Sequence, residues 1–363
     1  MRPPLSPDPR PREQGAGRSP RGRSLRLPAL LFLAAACGGE PGRTPVVLYS
    51  PHGPDQLGLL ERAFEKRHPE IDIRWLDMGS QEVFDRLRSE RANPQADVWF
   101  GGPTTIFDRG VGDSLLTPYR PAWAGQVGLR GVGPAELYWP VYRTPAVIAF
   151  NATAVPRDSA PKDWDDVLLP KWKDQVLIRD PMASGTMRAI WGLIIYKSIK
   201  ATGDTAQGMA WLRRLDGQTR AYVLSPLLLT EKLARQEGLV TLWDLPDVLI
   251  DRGRGLPLDY VFPASGTVVI DDAIGLVKGA RHAEAAKQFI DWVASDEAVL
   301  LAIRGVFRLP ARRDLPADSL PPWIIEVEKN MHEADMDWAL LAKQGPDWMA
   351  YWDRRVRNTG KSR

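Results

Sequence analysis

Val46-Val47-Leu48-Tyr49-Ser50-Pro51-His52-Gly53-Pro54-Asp55 passes from an apolar run through a turn-rich loop into an amphipathic pattern. The first four residues read as a buried strand. Ser50 to Pro54 hold two prolines and a glycine and read as a loop. Beyond them Leu57, Leu60 and Phe64 fall on one helical face, with Asp55 placed to cap that helix. The same order returns downstream. Ile71 to Trp75 alternates as a strand, and Gly79-Ser80 opens a helix with Val83, Phe84 and Leu87 inward. Asp97 to Phe100 is a third strand, ending at Gly101-Gly102-Pro103. Strand, loop and helix in repetition predict a mostly parallel sheet with helices on its faces.

The alternation resumes in a second unit. Trp139 to Asn151 is apolar and extended, and it reads as a crossing into that unit. There Asp163-Trp164-Asp165-Asp166 begins a short helix, Val176-Leu177-Ile178-Arg179 reads as a strand, and Asp180-Pro181-Met182-Ala183 as a loop. Ser184-Gly185-Thr186 then starts a helix running to about Ser198. Helices near 206–215 and 226–237 and a strand from Leu239 to Trp243 follow. Residues 258–275 read as a return crossing, and Ala283 to Val293 as a helix with Ala286, Phe289, Ile290 and Val293 on one face. The tail from Pro322 carries Trp323, Trp338, Trp348 and Trp352, expected to pack across the back of the first unit.

The chain has 363 residues, enough for two separate cores, with 44% hydrophobic and 26% charged residues as in soluble globular proteins. Its net charge of +3 misleads. Residues 1–37 hold seven arginines against Asp8 and Glu13, which leaves 41 basic and 43 acidic residues in the remainder. A nucleic-acid partner is therefore not expected, because such proteins keep a basic surface. Arg18, Arg21, Arg23 and Arg26 precede the apolar run Leu27 to Ala36, which is short for a bilayer span and ends in small residues, as secretory signals do. The run leads into Cys37, the only cysteine, which can form no internal disulfide. Ala34-Ala35-Ala36-Cys37 resembles a bacterial lipobox, with Ala34 where that motif usually has leucine. That resemblance implies a signal peptide over 1–37, a lipid anchor on Cys37, a tether over 38–45, and a place in the periplasm or at the cell surface.

Several stretches together resemble the extracellular solute-binding proteins of family 1, in the branch of ferric-iron and sugar-phosphate receptors. They are Val47 to Gly53, Ala96 to Gly102, Asp163 to Leu168 with Pro170-Lys171-Trp172, Asp180-Pro181 followed by Ser184-Gly185-Thr186, and Ala285 to Ile290 with Ser295 to Ala298. The resemblance implies an α/β, two-lobed periplasmic-binding-protein type II fold, each lobe a mixed, mainly parallel sheet flanked by helices and joined by two crossing strands. Lobe 1 would comprise 46–143 and 264–363, and lobe 2 would comprise 144–263. A ligand would bind between the lobes, and closure would bury it. The partners implied are a small anionic ligand, an ABC permease and its ATPase. The receptor is expected to be a monomer and to need neither cofactor nor metal.

Ser184-Gly185-Thr186 is the leading candidate site, since a helix start offers free N–H groups and the positive end of the dipole to an anion. Its plainer role is an N-cap by Ser184. Ser50 and His52 lie in the first strand-to-helix loop. The family resemblance implies that a histidine in that loop binds iron or holds an anion, whereas the plain alternative is a turn residue. Gly101, Gly102 and Thr104 end the third strand, where glycines permit close approach by a ligand or by the other lobe. Ser80 heads a helix, and Arg143 offers a fixed charge or a structural ion pair. Asp244 can accept hydrogen bonds from ligand hydroxyls. Ferric receptors of this branch carry adjacent tyrosines near 242–247. Here the stretch is Leu242-Trp243-Asp244-Leu245-Pro246-Asp247, which favours a phosphorylated sugar or similar organic anion over iron.

An enzyme is the rival class, as a hydrolase of phosphate esters. The chain has no H-E-x-x-H and no G-x-S-x-G, and no histidine adjoins Ser184 in sequence. Gly360-Lys361-Ser362 mimics the end of a phosphate loop, but Arg355 stands where its first glycine belongs.

Overall fold

The computed structural model describes residues 42–128 and 130–359; the expected signal, Cys37 and the first part of the tether lie outside them. These described residues form eleven strands and eleven α-helices. The first block is β1 (Thr44–Ser50), α1 (Gly53–Arg67), β2 (Ile71–Asp77), α2 (Ser80–Ser89), β3 (Val98–Pro103), α3 (Thr104–Gly112) and β4 (Leu116–Thr117). The long β5 (Trp139–Asn151) leads to β6 (Val176–Arg179), α4 (Gly185–Thr202), α5 (Ala206–Gln218), β7 (Thr219–Val223), α6 (Pro226–Ala234), β8 (Val240–Asp244) and α7 (Leu245–Gly253). The chain returns through β9 (Leu258–Val261) and β10 (Val269–Val277) to α8 (Ala283–Val293), α9 (Asp296–Val306) and β11 (Leu309–Pro310), and ends in α10 (Pro322–Asn330) and α11 (Trp338–Arg355). Within these residues no helix is long and apolar enough to cross a membrane.

Local chemistry sets most helix starts. Ser184, Ser225, Asp244, Ser295 and Asp337 each accept a backbone N–H with the side chain at the heads of α4, α6, α7, α9 and α11. α1 begins at Gly53, two residues before the expected cap Asp55, because Pro54 already has the backbone angle of a first turn and no N–H to lose there.

Two parallel blocks carry the architecture. β2-β1-β3 is parallel throughout, as are β8-β6-β7. They are joined through antiparallel β10 and β5. β5 serves both blocks. Its residues up to Pro145 pair with β10, and from Ala146 onward they pair with β8 and β9. The exchange of neighbours coincides with Pro145, which has no N–H to give to a ladder. The fold is the two-lobed α/β arrangement, with β5 running from one lobe into the other and the return made between β9 and β10.

Each lobe packs helices on its sheet. In the first, Phe289 of α8 sits edge-on to Phe64 of α1 at 5.3 Å and to Phe100 of β3 at 5.8 Å. In the second, α4 lies between the sheet and the tail. Trp323 stays with the first block, against Phe307 at 5.6 Å. The chain then runs beside Thr267, whose N–H donates to His332 O at 2.7 Å while Thr267 O accepts from Ala334 N–H at 2.7 Å. Beyond that point the tail has crossed over. Trp352 packs edge-on against Trp191 of α4 at 5.9 Å and Tyr222 of β7 at 5.5 Å. The expectation that these tryptophans all lie behind the first unit is therefore corrected. The run of tryptophans marked the tail for burial, but the partner depended on which side of Thr267 the chain passed.

Phe289 is fully buried and joins three elements. Phe289→Ala is expected to cost about 3–5 kcal/mol, read as a lowered denaturant midpoint with an unchanged slope.

Candidate functional site: a closed inter-lobe cavity

The parallel strands of both blocks end toward one another: β1, β2 and β3 at Ser50, Asp77 and Pro103, and β6, β7 and β8 at Arg179, Val223 and Asp244. Loops at such ends are where open α/β sheets place ligands. Between them lies a cavity of about 60 Å³. The first lobe contributes Pro51 and His52 before α1, Gly79 and Ser80 at the start of α2, and Pro103. The second contributes Arg179, the Ser184-Gly185-Thr186 start of α4, Pro226 of α6, and Trp243, Asp244 and Asp247 around the start of α7. Thr144, Ile270, Asp272 and Arg308 complete the lining.

The lobes touch at its rim. Gln81 N–H donates to Ala183 O at 3.2 Å across the gap. A Cβ on Gly185 would lie 2.6 Å from Pro103 Cδ and 2.8 Å from Ser80 Oγ, so this contact requires glycine. Arg254 forms an ion pair with Asp55.

One side of the cavity is rich in donors. Ser184 Oγ takes the Met187 N–H at 3.2 Å, which leaves the N–H groups of Gly185 and Thr186 as the open donors of α4. Arg179 donates from Nη1 to Val223 O at 3.4 Å, and its Nε is buried without a partner among the described residues. The other side is acidic. Asp244 caps α7 by accepting the Asp247 N–H at 3.1 Å, and Asp247 accepts from Trp243 Nε1 at 2.9 Å. Asp272 accepts the Gly102 N–H at 3.1 Å and the Thr144 hydroxyl. Arg308 is held by Gln56 Oε1 at 2.5 Å and Thr144 Oγ1 at 3.3 Å. His52 also lines the cavity, edge-on to Phe100 at 4.6 Å and to Tyr142 at 5.9 Å, with both ring nitrogens buried and without partners among the described residues.

Residues 102–347 match the family model described as bacterial extracellular solute-binding protein. The chain belongs to that family. An ABC transporter periplasmic-binding protein of Sinorhizobium fredii is 24% identical over 86% of each chain. A Salmonella typhimurium periplasmic protein named for binding 2-aminoethylphosphonate is 27% identical over 68% of this chain and 72% of its own. Among solved structures, the fructose-6-phosphate-bound AfuA of Actinobacillus pleuropneumoniae has a TM-score of 0.76 at 22% identity, covering 87% of this chain and 99% of its own. Iron-bound HitA of Pseudomonas aeruginosa has a TM-score of 0.70 at 18% identity, covering 85% and 98%. These two share the fold. The protein is the solute-binding component of an ABC importer.

Of the expected residues, His52, Ser80, Ser184, Gly185, Thr186 and Asp244 line the receptor's cavity. The other five do not. Ser50 turns inward, and its Oγ accepts the His52 N–H at 3.2 Å. Gly101 has φ +96°, and a Cβ there would lie 2.4 Å from the His52 ring. A Cβ on Gly102, at φ +102°, would lie 3.2 Å from Ser80 Oγ. These glycines thus make room for receptor side chains that face the cavity. Thr104 is buried at the start of α3. Arg143 pairs with Glu333 at 2.9 Å, next to Arg130 and Asp271.

Sequence reasoning missed Arg179, Arg308, Asp247, Asp272 and Thr144. Arg179 carried a usable signal, a charge ending an otherwise apolar strand. Arg308 and Asp272 carried none, since they reach Thr144 only through the pairing of β11 and β10 with β5. No group of three His, Cys, Asp or Glu among the described residues is placed to hold a metal ion.

Burial governs the site's protonation. It holds the His52 imidazole well below its usual pKa, helped by the Arg308 charge. Burial raises Asp244, helped by Asp247 and opposed by Arg308. It likewise raises Asp247 and Asp272, with Arg308 opposing in both. A carboxyl raised on folding binds more protons folded than unfolded. It therefore lowers stability as pH climbs from the unfolded pKa through the folded one. Asp244→Asn keeps a capping side chain and removes the charge. The unliganded Asn variant is expected to melt several degrees above the parent at pH 7.5, with the gap shrinking toward pH 4, as followed by scanning calorimetry.

Proposed function

We propose that this receptor captures a small phosphonate or phosphate monoester that also bears an amino group, closes on it, and passes it unchanged to a membrane permease driven by an ATPase. The observation carrying this reading is the division of one small cavity into a donor side and an acid side. The anionic head would lie on the open N–H groups of Gly185 and Thr186 with Arg179, where a helix start and a guanidinium both favour it. The ammonium would face Asp244 and Asp247, whose burial the nearby Arg308 charge offsets only in part. His52, neutral, would donate or accept one hydrogen bond to the ligand.

The size of the space supports a compact ligand. About 60 Å³ corresponds to roughly four to six waters at about 10–15 Å³ each. A two-carbon aminophosphonate, with seven non-hydrogen atoms, slightly exceeds that count and needs only a small parting of the lobes. A hexose phosphate, with sixteen, would need the lobes to stand much further apart, so the phosphorylated sugar expected from the sequence takes second place. The Salmonella relative's name points to the same class of ligand.

In this reading the blocks of β1–β3 and of β6–β8 move as the two lobes, with the tail beyond 335 following the second. The receptor acts as a monomer and performs no chemistry. Cys37 carries a lipid anchor that holds it at the membrane.

Calorimetric titration is expected to show binding of 2-aminoethylphosphonate, with methylphosphonate at least about tenfold weaker because the carboxylates go unpaired. Arg179→Met is expected to weaken binding of 2-aminoethylphosphonate about tenfold or more. Heat from hexose 6-phosphate or ferric citrate, with none from the aminophosphonate, overturns the ligand class. A new phosphorus resonance during prolonged incubation would instead support the hydrolase. Metabolic labelling with palmitate in the native host is expected to mark the parent and spare Cys37→Ser; equal label in both removes the anchor.

A further inference from the structure

We propose that the C-terminal helix α11 is a closing contact remote from the ligand, so that residues outside the cavity set part of the receptor's affinity. The inference rests on the two-lobed fold and not on the identity of the cargo.

α11 is fastened to the second lobe along its length. Leu341 covers Gly192 of α4, where an added Cβ would lie 2.5 Å from its methyl carbon. Trp352 packs on Trp191 and Tyr222. Just past the helix, Arg357 pairs with Asp180 at 2.5 Å, and Asn358 N–H donates to Asp216 at 2.8 Å. α4 and the β6–β7 region thus hold the helix from both ends.

The same helix also lies against α3, which follows β3 of the first lobe. α3, α4 and α11 enclose a mainly apolar space of about 30 Å³, with Thr105 and Ile106 on one side and Ala342, Trp348 and Met349 on the other. Pro103 and Gly185 border both this space and the ligand cavity. The seam and the cleft are therefore the two faces of one contact. Separating Pro103 from Gly185 to open the cleft must also draw α3 away from α4 and α11. Met349 and Ile106, 3% and 4% exposed, would then meet water. Burial at this seam adds to closure whatever the ligand is, and closure that comes more readily lowers the apparent dissociation constant.

The space left between the three helices means the contact is not optimised. Shaving Met349 should favour the open form, and filling the space should favour the closed one.

The test needs no ligand. In a Cys37→Ser background, spin labels at exposed Arg88 and Arg235 report the inter-lobe distance distribution of the ligand-free protein by pulsed electron resonance. Met349→Ala is expected to lower the ratio of closed to open molecules about fivefold, with Met349→Leu restoring it. Ala342→Val, which adds bulk toward the space, is expected to raise the ratio and covers the case in which Met349→Ala fails to fold. An unchanged ratio in every folded variant, or a parent with no closed population, overturns the proposal.

Discussion

One strand bears the whole arrangement. β5 gives its first half to the sheet of β1–β3 and its second half to the sheet of β6–β8, and it changes neighbours beside Pro145. A ladder that switches partners within a continuous strand joins two lobes while leaving a line along which they can turn. It also orients them, because both parallel blocks inherit their direction from the strands they pair with. Their carboxyl ends consequently meet, and the helix starts that follow those ends share one small space.

The chemistry of that space is a consequence of closure. Helix starts offer N–H groups that no helix can satisfy internally. Arg179, Asp244 and Asp272 are buried charges and Asp247 a half-buried one, all lining the space between the lobes. Left alone they oppose closing, as the raised carboxyl pKa values express. A ligand with complementary charges converts the same burial into attraction. A receptor that must stay open when empty and shut when loaded gains from this reversal of sign. The apolar seam under α11 adds a contribution whose sign does not change, and the balance of the two decides how far the empty receptor closes.

His52 shows how the backbone prepares such a site. Its ring occupies space that a side chain at Gly101 would fill, and Gly101 can lie there only because its φ of +96° suits glycine. Ser50 holds the histidine's N–H. The residues expected to touch ligand and the residues that position them are neighbours in sequence and differ only in which way they face.

The sequence alone determined what depends on local pattern. Apolar runs, alternation and caps located β1, β6, α4 and α8 within a few residues, and the order of strand and helix was enough for an α/β fold of two units. Ser184-Gly185-Thr186 was legible as a helix start, and Ser80 likewise, because capping chemistry is local; Asp244 was expected only as an acceptor for ligand hydroxyls, and its place as the cap of α7 came from the structure. Tertiary structure alone decided which side of the chain faces what. It left Ser50, Gly101, Gly102 and Thr104 behind the cavity's lining residues and paired Arg143 with Glu333. It also brought Arg308 to Thr144 and carried Trp352 past Thr267 onto the second lobe. The physical reason is that hydrophobic burial and capping depend on spacings of a few residues along the chain. The meeting of two charges far apart in sequence depends instead on strand register and on closure of the lobes, and no local pattern encodes either.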